Sequence, residues 1–268
     1  MVYMLSPLSL GELLDRTFQL YRRHFLIFIG IIALPHVFLL PLQLASVWQR
    51  STRRFDLVDV AFALVIAGGG IFVLAMAQAA TVVAVSRTYL GQPASIVDSY
   101  SRVSGHVVRL CLLILSLGIL TGLGFILLII PGILLTIRWS VAVPAMVLED
   151  TRVGEAMTRS AELTQGDWVR IFGIYFIYFV VAILFETLWQ VPMFFAAFSS
   201  GRTLADPPFW TQIVIVLGGF VSQCLVGPLL TIALSLVYYD ERVRKEAFDL
   251  EHMLTQLDGA PPSDAVPA

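Results

Sequence analysis

The chain has 268 residues, of which 58% are hydrophobic and only 13% charged, where an ordinary soluble domain is about a quarter charged. Seventeen Lys+Arg against 19 Asp+Glu leave a net charge of −2, which gives no electrostatic footprint for nucleic acid. Five stretches, 25–47, 60–85, 110–148, 171–198 and 209–239, contain between them two charged residues, Arg138 and Glu186. That excludes a soluble globular protein, a disordered chain and a disulfide-stapled secreted module, because a helical span needs about 20 consecutive apolar residues and these blocks supply them.

Taken in chain order, Ser9-Leu10-Gly11-Glu12 has the spacing of a capping box and opens an amphipathic helix over 9–24. Leu10, Leu13, Leu14, Phe18, Tyr21 and Phe25 recur at spacings of three and four. Residues 25–47 make the first span and 57–85 the second, and a short amphipathic helix follows over 94–104. The block 106–148 has 43 residues. One helix of that length would run about 65 Å, twice the thickness of a bilayer core, so the block turns. Pro131-Gly132 is the strong breaker pair near its centre and predicts spans over 106–130 and 133–148, the second either crossing fully or re-entering. A third amphipathic helix is expected over 152–165. Spans 168–198 and 209–239 follow, separated by a polar loop. Val243, Ala247, Leu250, Leu254 and Leu257 then form the stripe of a fourth interfacial helix, 241–257. Residues 1–257 read as a single membrane domain and 258–268 as a disordered tail.

The expected fold is therefore all-α, a polytopic helical membrane protein with six transmembrane helices. A shift of 143 residues superposes Leu10-Gly11-Glu12 on Val153-Gly154-Glu155, Arg16 on Arg159 and Gly30-Ile31 on Gly173-Ile174. In the middle unit Arg102 aligns with Arg159, and Gly105 and Arg109 align with Gly166 and Arg170. The plan is three parallel repeats of amphipathic helix plus helical hairpin, unlike the inverted repeats of many secondary transporters. With the amphipathic segments on one side, 12 of the 17 bases gather there. Arg50, Arg53, Arg54 and Arg202 fall on the other, which places both termini in the cytoplasm by the positive-inside rule. The absence of Asn and the single Lys suit a GC-rich bacterial source; the expected location is the bacterial inner membrane.

Ionisable and polar groups inside spans are the functional candidates: Arg138, Glu186, His36, Gln190 and Gln223. Counted from the expected turns, Arg138 and Glu186 lie in the outer half at similar heights; either they pair, directly or through water or Gln190, or Arg138 snorkels outward beside Trp139. His36 follows Pro35 and is expected to bond the carbonyl that the proline frees. Cys111 and Cys224 read as buried hydrophobes. No catalytic triad, phosphate loop or metal-ligand spacing is present, so no catalytic residue, cofactor or metal is expected.

Four motifs carry a family resemblance. They are Ser9-Leu10-Gly11-Glu12-Leu13-Leu14-Asp15-Arg16, then Pro131-Gly132 with Arg138-Trp139-Ser140 and Val143-Pro144, then Glu155-Ala156 with Arg159-Ser160 and Gly166-Asp167-Trp168, and Tyr238-Tyr239-Asp240 with Arg242-Val243-Arg244-Lys245-Glu246. Together they resemble the bacterial glycerophosphoryl diester phosphodiesterase membrane domain family. The resemblance implies a stand-alone membrane part without catalytic residues. Two readings of function follow: a non-enzymatic scaffold, accessory or lipid-interface module, or a small transporter or channel with a polar site between the hairpins. The expected partners are the lipid bilayer and either a membrane-protein partner or a second copy of the chain.

Overall fold

The computed structural model describes residues 8–52, 56–200 and 208–258. Arg53, Arg54 and Arg202, most of the expected tail and the side chains of Arg50 and of 247–257 lie outside what is described. Among the described residues all regular structure is helical, and six stretches are long and apolar enough to cross a membrane.

The first unit opens with α1, Leu10–Arg23, whose capping box is formed in both directions. Hydrogen bonds from the backbone and hydroxyl of Ser9 hold the Glu12 carboxyl below the usual carboxylate range. The hairpin α2, Phe25–Thr52, and α3, Leu57–Tyr89, follows. The second unit is α4, Ile96–Val103, then α5, Val107–Leu127, α6, Ile129–Arg138, and α7, Ala142–Glu149. The third is α8, Val153–Leu163, then α9, Trp168–Ser199, and α10, Phe209–Asp258.

Three features differ from the sequence reading. The middle hairpin turns at Leu128, which is extended at φ −163° and ψ 151°, and not at Pro131-Gly132. Pro131 falls in the first turn of α6, where its missing N–H deprives no helical carbonyl of a partner. Gly132 instead supplies close approach: a Cβ there would meet the Phe125 ring at 2.4 Å, and one on Gly124 would meet the Gly132 Cα at 3.0 Å. Second, the fourth span is interrupted between Arg138 and Ala142. Third, residues 241–257 continue the sixth span as one helix of 50 residues, with no break at Asp240.

The repeats close into a ring. Each amphipathic helix packs on the second helix of the preceding hairpin: α4 on α3, α8 on α7, and α1 on α10. Each also touches the first helix of that same hairpin, α2, α5 and α9 respectively. Two of these seats are glycines at equivalent repeat positions. A Cβ on Gly30 would meet Ile96 Cδ1 at 2.4 Å, and one on Gly173 would meet Leu10 Cδ2 at 3.1 Å. Ile96 and Leu10 are each the first residue of their amphipathic helix, so the glycines let α4 and α1 dock against the backbone of α2 and α9. The second helices α3, α7 and α10 meet at the centre. Ala80, Ala84, Val141, Ala145, Ile232 and Leu236 form a fully packed core there, each at most 3% exposed. This core lies at the end that carries α1, α4 and α8, called here the polar end. Towards the hairpin turns the helices present large apolar side chains outwards, such as Phe38, Leu64, Ile126, Phe179 and Phe195, as a lipid-facing surface requires.

Candidate functional site

At the polar end, the charged run after Tyr238 turns α10 into a clasp. Arg170, in the first turn of α9, places Nη1 2.6 Å from Asp240 Oδ2 and Nη2 2.5 Å from Glu241 Oε1. The side chains are 11%, 4% and 0% exposed, so these are buried pairs. The same site ties down the chain entering α1: Leu8 donates its N–H to Asp240 Oδ1 at 2.9 Å. Its carbonyl accepts from Arg170 at 2.9 Å and from Arg244 at 2.7 Å. Arg244 Nε also pairs with Asp240 at 2.9 Å.

One turn further along α10, Lys245 Nζ donates to the carbonyls of Glu162, Leu163 and Gln165 at 2.7–2.9 Å. It thereby caps the C-terminal end of α8, where a cation also meets the negative end of the helix dipole. Arg159 of α8 bridges Glu149, 3.1 Å away, and Glu246. Tyr238 donates to Glu149 at 2.7 Å, and Arg242 Nε pairs with Glu246 at 2.7 Å. The middle unit has its own set. Arg87 and Arg102 face Asp98, and Asp150 takes His106 at 3.1 Å and Arg109 at 3.3 Å. Arg109 with Asp150 parallels Arg170 with Asp240, and the repeat alignment makes the two arginines equivalent.

The sequence-predicted residues are not brought together. Neither an ion pair nor a hydrogen bond joins any two of Arg138, Glu186, His36, Gln190 and Gln223. The expected Arg138–Glu186 pair is absent because α6 ends at Arg138 beside α8. There Ser160 and Thr164 donate to the Arg138 carbonyl at 3.0 and 3.1 Å. Glu186 instead follows Phe185, whose carbonyl takes the Ser222 hydroxyl of α10. His36 Nδ1 lies 2.7 Å from the Ile32 carbonyl. The carbonyl that Pro35 frees is that of Ile31, four residues back. It accepts from Tyr100 of α4 at 2.5 Å, a partner that no local spacing could reveal.

A cavity of about 260 Å³ lies above the packed core between the hairpins, lined by Gln78, Thr121, Thr136, Ser140, Tyr175 and Thr231 among apolar side chains. The Ser140 hydroxyl is buried without a hydrogen-bond partner among the described residues. Among the described residues no group of three or more His, Cys, Asp and Glu is placed to hold a metal ion.

Fold and site together define a six-span helical membrane protein with an ionic clasp at one end. The family model described as the membrane domain of glycerophosphoryl diester phosphodiesterase matches residues 113–253, just over half of the chain, and the protein belongs to that family. The match is to the membrane part of an enzyme-associated family and not to a catalytic domain. No curated protein and no solved structure matches the chain.

Proposed function

We propose that the protein is a non-enzymatic module of the bacterial inner membrane, a scaffold that holds three amphipathic helices in a fixed ring on the cytoplasmic surface. The observation that carries this reading is the buried clasp of Arg170 with Asp240 and Glu241 over a packed centre of α3, α7 and α10. A solute path along the ring axis would have to break that centre, whereas a platform gains rigidity from it. The split of Lys and Arg favours a cytoplasmic position for the clasp and both termini. On this reading the uncovered parts of α1, α4 and α8 face headgroups or a protein partner.

The polar cavity above the core favours a second reading, a small transporter with its site between the hairpins. The two readings separate on access. In a background lacking Cys111 and Cys224, Thr231→Cys in sealed vesicles is exposed to a membrane-impermeant maleimide from each side. A scaffold leaves it unlabelled from both sides. Labelling from either side, abolished by a soluble solute, would replace the scaffold with a transporter.

A further inference from the structure

Arg138 stands at the end of a lipid-facing stripe. Ile130 and Leu134, two turns and one turn before it on the same face of α6, are 71% and 40% exposed, and Arg138 itself is exposed. Its guanidinium makes no hydrogen bond and no ion pair among the described residues, although most other arginines at the polar end are paired. An arginine at the edge of an apolar stripe, without a protein partner, is expensive in a bilayer unless it finds a counter-charge in the headgroup zone.

The surroundings supply more than a place to snorkel. A groove of about 660 Å³ runs between α6 and one face of α8, lined by Leu135, Arg138, Trp139, Met157, Glu162 and Gln165. Leu135, Trp139 and Met157 give it an apolar wall. Glu162 is exposed, and its carboxylate has no partner among the described residues; Lys245 bonds the Glu162 backbone carbonyl instead. The Trp139 indole N–H has no partner among the described residues either. An unpaired cation and an unpaired anion thus line one membrane-facing groove. They lie more than 4 Å apart, since no ion pair joins them.

We infer that this groove is a binding site for one phospholipid with a zwitterionic phosphate-and-ammonium headgroup. Arg138 takes the phosphate, Glu162 takes the ammonium, and the first acyl carbons lie along Leu135, Trp139 and Met157. A charge-assisted pair to phosphate is among the stronger polar contacts, and the low-dielectric rim of the bilayer strengthens it further.

The test is native mass spectrometry of the intact detergent-purified chain, titrated with dioleoyl phosphatidylethanolamine or dioleoyl phosphatidylglycerol. The wild type should bind both and prefer phosphatidylethanolamine. Arg138→Gln should weaken both lipids about tenfold or more, the usual loss for a charge-assisted bond. Glu162→Gln should erase the preference while leaving phosphatidylglycerol binding unchanged. Inorganic phosphate and glycerophosphoethanolamine should not displace the lipid, and displacement by either would make the site one for a soluble phosphate compound and overturn the lipid assignment. Wild-type lipid binding in Arg138→Gln would overturn the site itself. A preference that survives Glu162→Gln would overturn the zwitterionic assignment. Arg138→Gln should melt with the wild type, because its side chain holds no protein group; a destabilised variant would contradict the unpaired arginine on which the proposal rests.

Discussion

Replacing Arg170 by methionine keeps much of the side-chain length and removes the charge. The variant loses ion pairs to Asp240 and Glu241 and the hydrogen bond to the Leu8 carbonyl. The two carboxylates are then left unequal. Asp240 keeps Arg244 and the Leu8 N–H. Glu241, fully buried, keeps no ion-pair partner, and its Oε2 has no hydrogen-bond partner even in the intact clasp. Removing one member of a buried pair costs about 3–5 kcal/mol, and a chain of this size loses about 2–4 °C per kcal/mol, so the expected fall in Tm is about 6–20 °C. The assay is retention of the monodisperse peak on size exclusion after heating in detergent. The double variant Arg170→Met with Glu241→Leu should recover most of the loss, because apolar replacement of a whole buried pair is often neutral. A single variant within about 2 °C of wild type would refute the clasp as a stabilising element. So would a double variant whose loss equals the sum of the two single losses.

Other substitutions probe the remaining joints. Tyr100→Phe strands the buried Ile31 carbonyl that Pro35 has already deprived of its helical donor; about 1–3 kcal/mol should be lost in detergent unfolding, and an unchanged midpoint would show that another donor takes over. Ser160→Ala removes the acceptor for the Val141 N–H, 3.2 Å away, and a donor to Arg138. It should speed hydrogen exchange across 139–145 more than across 112–120. Gly132→Ala presses a methyl into the Phe125 ring and should cost about 1–3 kcal/mol by overpacking. Gly11→Ala in α1 meets nothing within 4 Å and should raise stability by up to about 1 kcal/mol, measured in the same unfolding series.

The spans were legible because charge is nearly absent from them, and bilayer thickness converts that absence into length. The amphipathic helices were legible from caps and periodicity: Ser9 with Glu12 forms the expected box. The middle hairpin misled because Pro131 and Gly132 have local meanings that tertiary context overrides. The proline fits a first helical turn, and the glycine serves contact with Gly124 and Phe125. Nothing local marks the interruption after Arg138. It is stabilised by Ser160 and Thr164, 22 and 26 residues beyond Arg138. The depth assigned to Arg138 inherited the misplaced turn, and the expected pair with Glu186 failed with it. The clasp joins Leu8, Arg170 and Asp240, which are far apart in sequence. Its one sequence signal was the repeat itself, which set Arg109 and Arg170 in equivalent places before either partner was known. The ring closure of α1 on α9 and α10 had no such signal, since it follows from the geometry of docking.

On the proposed plan, three parallel units place their amphipathic helices on one side of the membrane. Single cysteines at Asp15 in α1, Ser101 in α4 and Gly154 in α8 sample each unit at an exposed position, and Asp56 before α3 samples the opposite end. In whole cells of a strain lacking the native copy, with Cys111 and Cys224 removed, an impermeant maleimide should label Asp56→Cys alone. The other three should react only after the membrane is opened. Labelling of only one or two of Asp15→Cys, Ser101→Cys and Gly154→Cys in intact cells would contradict the parallel plan, and labelling of all three would contradict the cytoplasmic clasp.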